Sequence, residues 1–201
     1  MKREKLGISL AAVFMTLCLY YHGGLILLPT VLLPIAAHEL SHVLVLSLLG
    51  QRIKGIEAEA GGLCIRYDGN CSAAGHIAAA LAGPVGGAIY AFTASHFAHA
   101  LDCGWLEQSA GLSLLLTGFN LLPLLPLDGG RVFSVLCALL LGKERGKKLY
   151  ASVHAVCLTI LLVFGVVFAL WKKSTLLLAA AIWLLLFQNE EEALVKNGKI
   201  I

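Results

Sequence analysis

The sequence predicts an all-α polytopic membrane protein of about six transmembrane helices with a short β-like loop on the cytoplasmic side. Three observations predict it. Of the 201 residues 59% are hydrophobic and only 13% charged, and the mean hydropathy is +0.85, far more apolar than a soluble domain of this length. The apolar residues gather into runs near the roughly 20 residues that a spanning helix needs. The charged residues fall between those runs, so the formal net charge of +3 reports topology and implies neither a nucleic-acid nor an acidic partner.

Taken in order, the first run is 6–22, within "MKREKLGISLAAVFMTLCLYY". It has the basic-then-apolar order of a signal peptide, but no small-x-small cleavage site follows, so it reads as a membrane helix. The second run, 25–49, carries "PIAAHELSHVLVLSLLG". The segment that follows, "QRIKGIEAEAGGLCIRYDGNCSAAG", is polar, glycine-punctuated and partly alternating. It is either one or two short strands or a plain loop. The third run, 73–98, leads through the turn "HALDCGWLEQ" to a fourth, 105–127. "GGRVFSVLCALLLGKERGKK" is too short for a full span and reads as an interfacial or half-depth helix. Runs 149–171 and 174–188 complete the set, with Glu190 to Glu192 in a solvated tail. The whole chain, 1–201, reads as one membrane-embedded domain with its core in 25–142.

If six spans alternate, Lys2, Arg3, Lys5, Arg52, Lys54, Arg66, the Lys143–Lys148 cluster, Lys196 and Lys199 share one side, with mainly Lys172 and Lys173 opposite. The positive-inside rule then puts both termini in the cytoplasm, and His42 about 10 Å short of the cytoplasmic end of its span. The six cysteines contain no CxxC pair and read as small buried hydrophobes, not as a disulfide framework or a thiolate site.

The chemistry lies in the few polar residues inside the runs. His38 and His42 are spaced i, i+4, so on a helix they share one face about 6 Å apart, and Glu39 stands beside them. In such an H-E-x-x-H pattern the histidines bind zinc and the glutamate, which is not a ligand, takes a proton from water at the metal. Two hydrogen-bonded structural histidines are the alternative. Ionisable groups at this depth cost on the order of 3 kcal/mol each unless compensated, which favours the metal. A catalytic zinc wants three protein ligands. Asp102 and Glu107 lie in the external turn, whereas Asp128, in "GFNLLPLLPLDGGRV", matches the depth of His42. Pro123 and Pro126 break the helical bonding there, and Gly129 and Gly130 allow a sharp turn that pushes the Asp128 carboxylate inward. Asn120, ahead of the first proline, either contacts a bound peptide or a developing oxyanion, or caps the broken helix.

HELSH in an early span and N-x-x-P-x-x-P-L-D-G in a later one resemble the site-2 protease family of intramembrane zinc metalloproteases. "LAGPVGG", Leu81 to Gly87, resembles the family's Gly-Pro element, so the likeness runs from about Pro34 to Arg131. It implies His38, His42 and Asp128 as ligands of one zinc ion per chain, Glu39 as general base and Asn120 as a contact to substrate or intermediate. Six spans with cytoplasmic ends resemble the subgroup of bacterial sporulation-factor processing proteases, and the small size and lack of organelle signals favour a bacterial cell membrane. No PDZ insert and no C-terminal cystathionine-synthase-type domain is read. The substrate implied is a membrane-anchored protein, cut in or near its transmembrane segment, and the oligomeric state is left open. The rival is a membrane metal transporter or sensor. It predicts further His, Asp and Glu along a path to the outer face, where the spans are nearly bare of them.

Overall fold

The structure is a computed structural model. It describes residues 6–8, 10–59, 62–67, 71–172, 175 and 177–186, with side chains over 25–53, 71–171, 175, 177–186. Lys2, Arg3, Lys5, Lys173, Glu190 to Glu192, Lys196 and Lys199, and the end of the run 174–188, lie outside the described residues. Two compact units result, 1–120 and 121–201.

The first unit begins with a three-residue strand, β1 (Leu6–Ile8), where a membrane helix was expected. Helix α1 then runs unbroken from Leu10 to Leu48. Gly23 and Gly24, expected to separate two spans, lie inside it. A helical glycine costs only about 1 kcal/mol relative to alanine, too little to end a helix between leucine-rich flanks. Within α1, Leu25–Leu48 is long and apolar enough to cross a membrane. The polar segment that follows folds as strands β2 (Ile53–Glu59) and β3 (Gly62–Tyr67), antiparallel to each other, with β1 parallel to β2 in the order β1-β2-β3. The strand reading of that segment therefore holds over the loop reading.

Helix α2 (Ala73–Leu101) starts at Ser72, whose hydroxyl accepts the Gly75 N–H at 3.1 Å. It ends at Asp102, which takes the left-handed conformation with φ 50°. Helix α3 (Gly104–Asn120) follows after that tight turn. The buried face of α2 is a stripe of small residues, Gly75, Ala79, Gly83, Gly87 and Ala91 among them, every fourth residue and so on one face. Small side chains let helix backbones approach closely where no hydrophobic force drives association in lipid. Against this stripe α3 presents Ser109 and Ser113, both fully buried. Ser113 Oγ donates to the Gly87 carbonyl at 2.8 Å, and the Tyr90 and Ser109 hydroxyls lie 2.7 Å apart.

The second unit opens with an irregular segment, 121–127, containing a cis Leu125–Pro126 peptide. The run expected to span 105–127 thus gives up its helix at Asn120, just before the two prolines remove the N–H groups that would continue it. Helix α4 (Asp128–Leu141) is the short helix read from the sequence. Gly142, at φ +78°, turns the chain into α5 (Lys143–Lys172), and a shorter apolar helix covers Leu177–Leu186. Where about six spans were expected, three helices among the described residues are long and apolar enough to cross a membrane: Leu25–Leu48, Ala73–Leu101 and Lys143–Trp171. Their outward faces carry large apolar side chains such as Leu40, Leu44, Phe92, Phe164 and Leu170, each more than half exposed, as a lipid-facing surface requires.

Candidate metal centre

On α1, one helical turn apart, His38 is buried and His42 half-buried. Their rings meet edge to face with centroids 5.0 Å apart, and the two Nε2 atoms lie 3.3 Å from each other. His42 Nδ1 is 2.7 Å from the carbonyl oxygen of Ala79 on α2. That oxygen has no proton to give, so Nδ1 donates, and the neutral His42 ring carries its lone pair on Nε2. This is the arrangement that metal-ligating histidines use to set tautomer and ring direction.

Whether these residues fit zinc can be tested on the same geometry. Two nitrogens bound at about 2.0–2.1 Å in a tetrahedron are about 3.3–3.4 Å apart, and the observed separation is 3.3 Å. With its Nε2 lone pair turned to His38, His42 has the partner it needs if a cation sits between the rings. The surrounding backbone leaves space for this. A Cβ on Gly83 would lie 2.6 Å from His38 Nε2 and collide with His42 Nε2. One on Gly86 would collide with the Ser41 hydroxyl, which donates to the Ala37 carbonyl at 2.7 Å. The Gly-Pro element is therefore both close packing and the wall of the histidine site.

Glu39 is half-buried, between buried His38 and lipid-facing Leu40. Asn120 is the last residue of α3, and its Nδ2 donates to the Leu116 carbonyl at 3.0 Å, which is the capping role. That bond uses one of the two N–H donors of the amide.

Asp128, in the second unit, is 5% exposed and is the first residue of α4, where the helix dipole favours a carboxylate. The segment before it is tied in place by main-chain bonds: Leu127 N–H to the Leu124 carbonyl at 2.9 Å, and Arg131 N–H to the Leu127 carbonyl at 3.1 Å. The two glycines after Asp128 act differently from expectation. Both lie inside α4, and neither adopts a positive φ. They are needed because the preceding segment folds back onto the helix start. A Cβ on Gly130 would sit 2.5 Å from the Leu124 carbonyl oxygen, and one on Gly129 2.6 Å from that of Leu122. Tyr150 on α5 completes the support, its hydroxyl accepting the Leu125 N–H at 3.0 Å.

Two contributors escaped the sequence reading. The Ala79 carbonyl is a backbone group and carries no residue signature. Tyr150 is a single tyrosine on a different helix, with nothing in its neighbourhood to link it to Asp128.

Among solved structures, the chain is similar to a site-2 protease from Methanocaldococcus jannaschii, with a TM-score of 0.68 and 23% identity over 90% of this chain and 85% of that one. Residues 76–168 match the model of peptidase family M50. That match takes in the Gly-Pro element and Asp128 and begins after the HELSH motif. No curated protein matches. The resemblance read from the motifs thus holds on two counts: the chain has the fold of a site-2 protease, and its middle carries the pattern of family M50.

Proposed function

We propose that the protein is an intramembrane zinc metalloprotease that hydrolyses a peptide bond in or near the transmembrane segment of a membrane-anchored protein. Its single catalytic domain has a core of 25–142. The observation that carries this reading is the His38–His42 pair, its Nε2 atoms at the edge length of a zinc tetrahedron and its His42 tautomer set by Ala79. Asp128 is the proposed third ligand. A buried carboxylate at a helix start, held by a rigid turn, supplies the oxygen donor that a His–His site lacks, and it leaves a fourth position open.

When bound, zinc polarises the scissile carbonyl and lowers the pKa of a water molecule to about 7. The protein's residues do the rest. Glu39 accepts a proton from the attacking water and passes it to the nitrogen of the departing amine. Asn120, through its second N–H, donates to a carbonyl oxygen of the substrate. A helical substrate must unwind before attack, and β3, an edge strand with β2 on one side, offers backbone groups to receive it by strand addition. The exposed Arg52, Lys143, Arg145, Lys147 and Lys148 mark the cytoplasmic side of a bacterial cell membrane in this reading.

The test is zinc content and cleavage of a co-reconstituted membrane substrate, measured on the same preparations. Glu39→Gln is expected to keep its zinc while cleavage falls by about 10²–10⁴ or more. Asp128→Ala is expected to lose zinc and cleavage together. Undiminished cleavage by Glu39→Gln would remove Glu39 as the base, and stoichiometric zinc in Asp128→Ala would remove Asp128 as a ligand. Zinc flux across the bilayer without cleavage by the wild type would turn the reading to a metal carrier.

A further inference from the structure

Helices α4 and α5 meet backbone to backbone beside the corner at Gly142. A Cβ on Gly146 would stand 2.6 Å from the Cys137 carbonyl carbon and 2.8 Å from Ala138 Cα, and Gly146 and Cys137 are both buried. One turn further from the corner, the Phe133 and Tyr150 rings lie 6.1 Å apart. The two contacts step down α4 as they step up α5, so the helices form an antiparallel hairpin with residues 139–148 at its tip. In this register Leu140 and Leu136 stand level with Lys143 and Lys147.

That tip combines two kinds of exposed side chain. Leu139 and Leu140 are each more than half exposed, and Leu136 and Leu141 are exposed as well. Beside them Lys143, Arg145, Lys147 and Lys148 are all exposed, and four cations against one carboxylate, Glu144, leave three net positive charges in six residues. At about 100° per residue the four cations fan over the side of α5 away from Gly146, and none of them makes an ion pair among the described residues. They stand at the start of a helix, so the helix dipole adds to their charge and does not offset it. The surface is complementary to a partner that is negatively charged and apolar at once.

The place of the tip in the fold says which partner. Lys143–Trp171 is long and apolar enough to cross a membrane, so its first turn lies where the hydrocarbon ends. The 14 residues of α4 reach only about 21 Å, short of the roughly 30 Å of hydrocarbon, and their last leucines share the level of the cations. Lipid offers both chemistries at that level: acyl chain for the leucines, and phosphate for ammonium and guanidinium groups whose aliphatic stems let the charged heads reach outward. We propose that the α4–α5 tip is a binding surface for anionic phospholipid, with Leu139 and Leu140 in the upper acyl layer and Lys143, Arg145, Lys147 and Lys148 on headgroup phosphates. The inference rests on the reading of α5 as a membrane span and is independent of the zinc centre.

The experiment uses the purified full-length protein in neutral-detergent micelles, with fluorescent phosphatidylglycerol as the probe and its anisotropy as the readout. Unlabelled phosphatidylglycerol is expected to displace the probe at least about tenfold more effectively than phosphatidylcholine, and that preference is expected to vanish at about 1 M salt, where charges are screened beyond about 3 Å. Lys147→Gln is expected to weaken phosphatidylglycerol about fivefold, the share of one cation at an anionic surface, and Lys147→Arg to stay within about twofold of the wild type. Lys143→Gln, Lys147→Gln and Lys148→Gln combined are expected to lose the preference, and the single variant carries the test if the triple one does not fold. Arg52→Gln, which removes an exposed cation outside the hairpin, is expected to bind as the wild type does. Equal displacement by the two lipids would overturn the proposal and leave the surface to an acidic protein segment. A loss in Arg52→Gln as large as in Lys147→Gln would make the binding a diffuse charge effect, and displacement by millimolar inorganic phosphate would make it a free-anion site; either would overturn the proposal. A protein that stays monodisperse in buffer without detergent would overturn the membrane reading itself.

Discussion

The two regions that carry the candidate ligands are built by opposite means. The histidine region is regular: two long helices whose closeness comes from missing side chains, with Ala79, Gly83 and Gly87 spaced by four along α2 and facing His38 and His42. The aspartate region is irregular. There the chain leaves the helix at Asn120, folds through 121–127 and re-enters a helix at Asp128, pressing backbone against backbone at Gly130. A pair of ligands on one helix needs only the right rotamers and a thin neighbour. A single carboxylate delivered by a broken helix needs its main chain held, because each freed N–H and C=O at membrane depth must find a partner. Substitutions in the first region should therefore act on the metal with little change in folding, and those in the second on folding first.

The sharpest way to break that contrast is Gly83→Ala. Its Cβ would stand 2.6 Å from His38 Nε2 and closer still to His42 Nε2, so the atoms it meets belong to the candidate ligands. The α2 backbone is helical on both sides, and alanine is the better helix former. We expect zinc affinity to fall by at least about 10²-fold, cleavage to become undetectable and the melting temperature to hold, since displacing a reacting group by about 1 Å already costs about 10² in rate. Full zinc content in Gly83→Ala would show that the two rings have room to move and that the regular region is softer than its packing suggests.

How much of this was readable follows the same division. The pairing of His38 with His42 was legible because helical periodicity alone places i and i+4 together, and an apolar setting makes polar residues conspicuous. The helix break ahead of Asp128 was legible through Pro123 and Pro126, whose effect on a helix is local. The strands at 53–67 were legible from alternation. What escaped depends on tertiary pairing. Leu6–Ile8 became a strand by pairing with Ile56 to Ala58, partners fifty residues away that no local window contains. The unbroken α1 escaped because two adjacent glycines look like a turn but carry only a modest helix penalty. The role of Gly129 and Gly130 was read as freedom of φ and is instead closeness of the neighbouring chain, which only coordinates reveal.

In the aspartate region Gly130→Ala should give the intermediate effect. The atoms its Cβ would meet, the Leu124 carbonyl and the Leu125 nitrogen at 2.5 and 2.6 Å, are backbone and cannot swing aside as a side chain does. Overpacking of this kind costs about 1–3 kcal/mol. For a chain of this size that is a melting temperature lower by roughly 2–4 °C per kcal/mol. Cleavage should drop about tenfold to a hundredfold through displaced Asp128. An unchanged melting temperature with lost zinc would make this region behave like the other, and the contrast would fail.

The smallest effect is expected from Tyr150→Phe, which sharpens the comparison because it touches the aspartate region without touching a ligand or adding an atom. The Tyr150 hydroxyl accepts the Leu125 N–H at 3.0 Å, on the residue that precedes Pro126. Without it the N–H is left in a half-buried position, and an unmade bond there costs about 1 kcal/mol, toward the low end for buried groups because Leu125 is not fully enclosed. The ring remains, so its tilted stacking with Phe133 and His154 at 6.1 and 5.7 Å should survive, and α4 and α5 should stay packed. The expected result is a melting temperature lower by about 2–4 °C. Zinc affinity should be weaker by only a few-fold, since about 1 kcal/mol of lost support is close to a factor of five. Both quantities should fall together, because one bond holds the segment that presents Asp128. A Tyr150→Phe protein that melts earlier with wild-type zinc affinity would mean that Asp128 is held by α4 alone. One that melts normally but binds zinc weakly would place Tyr150 in the metal's own surroundings and not in the scaffold beneath it.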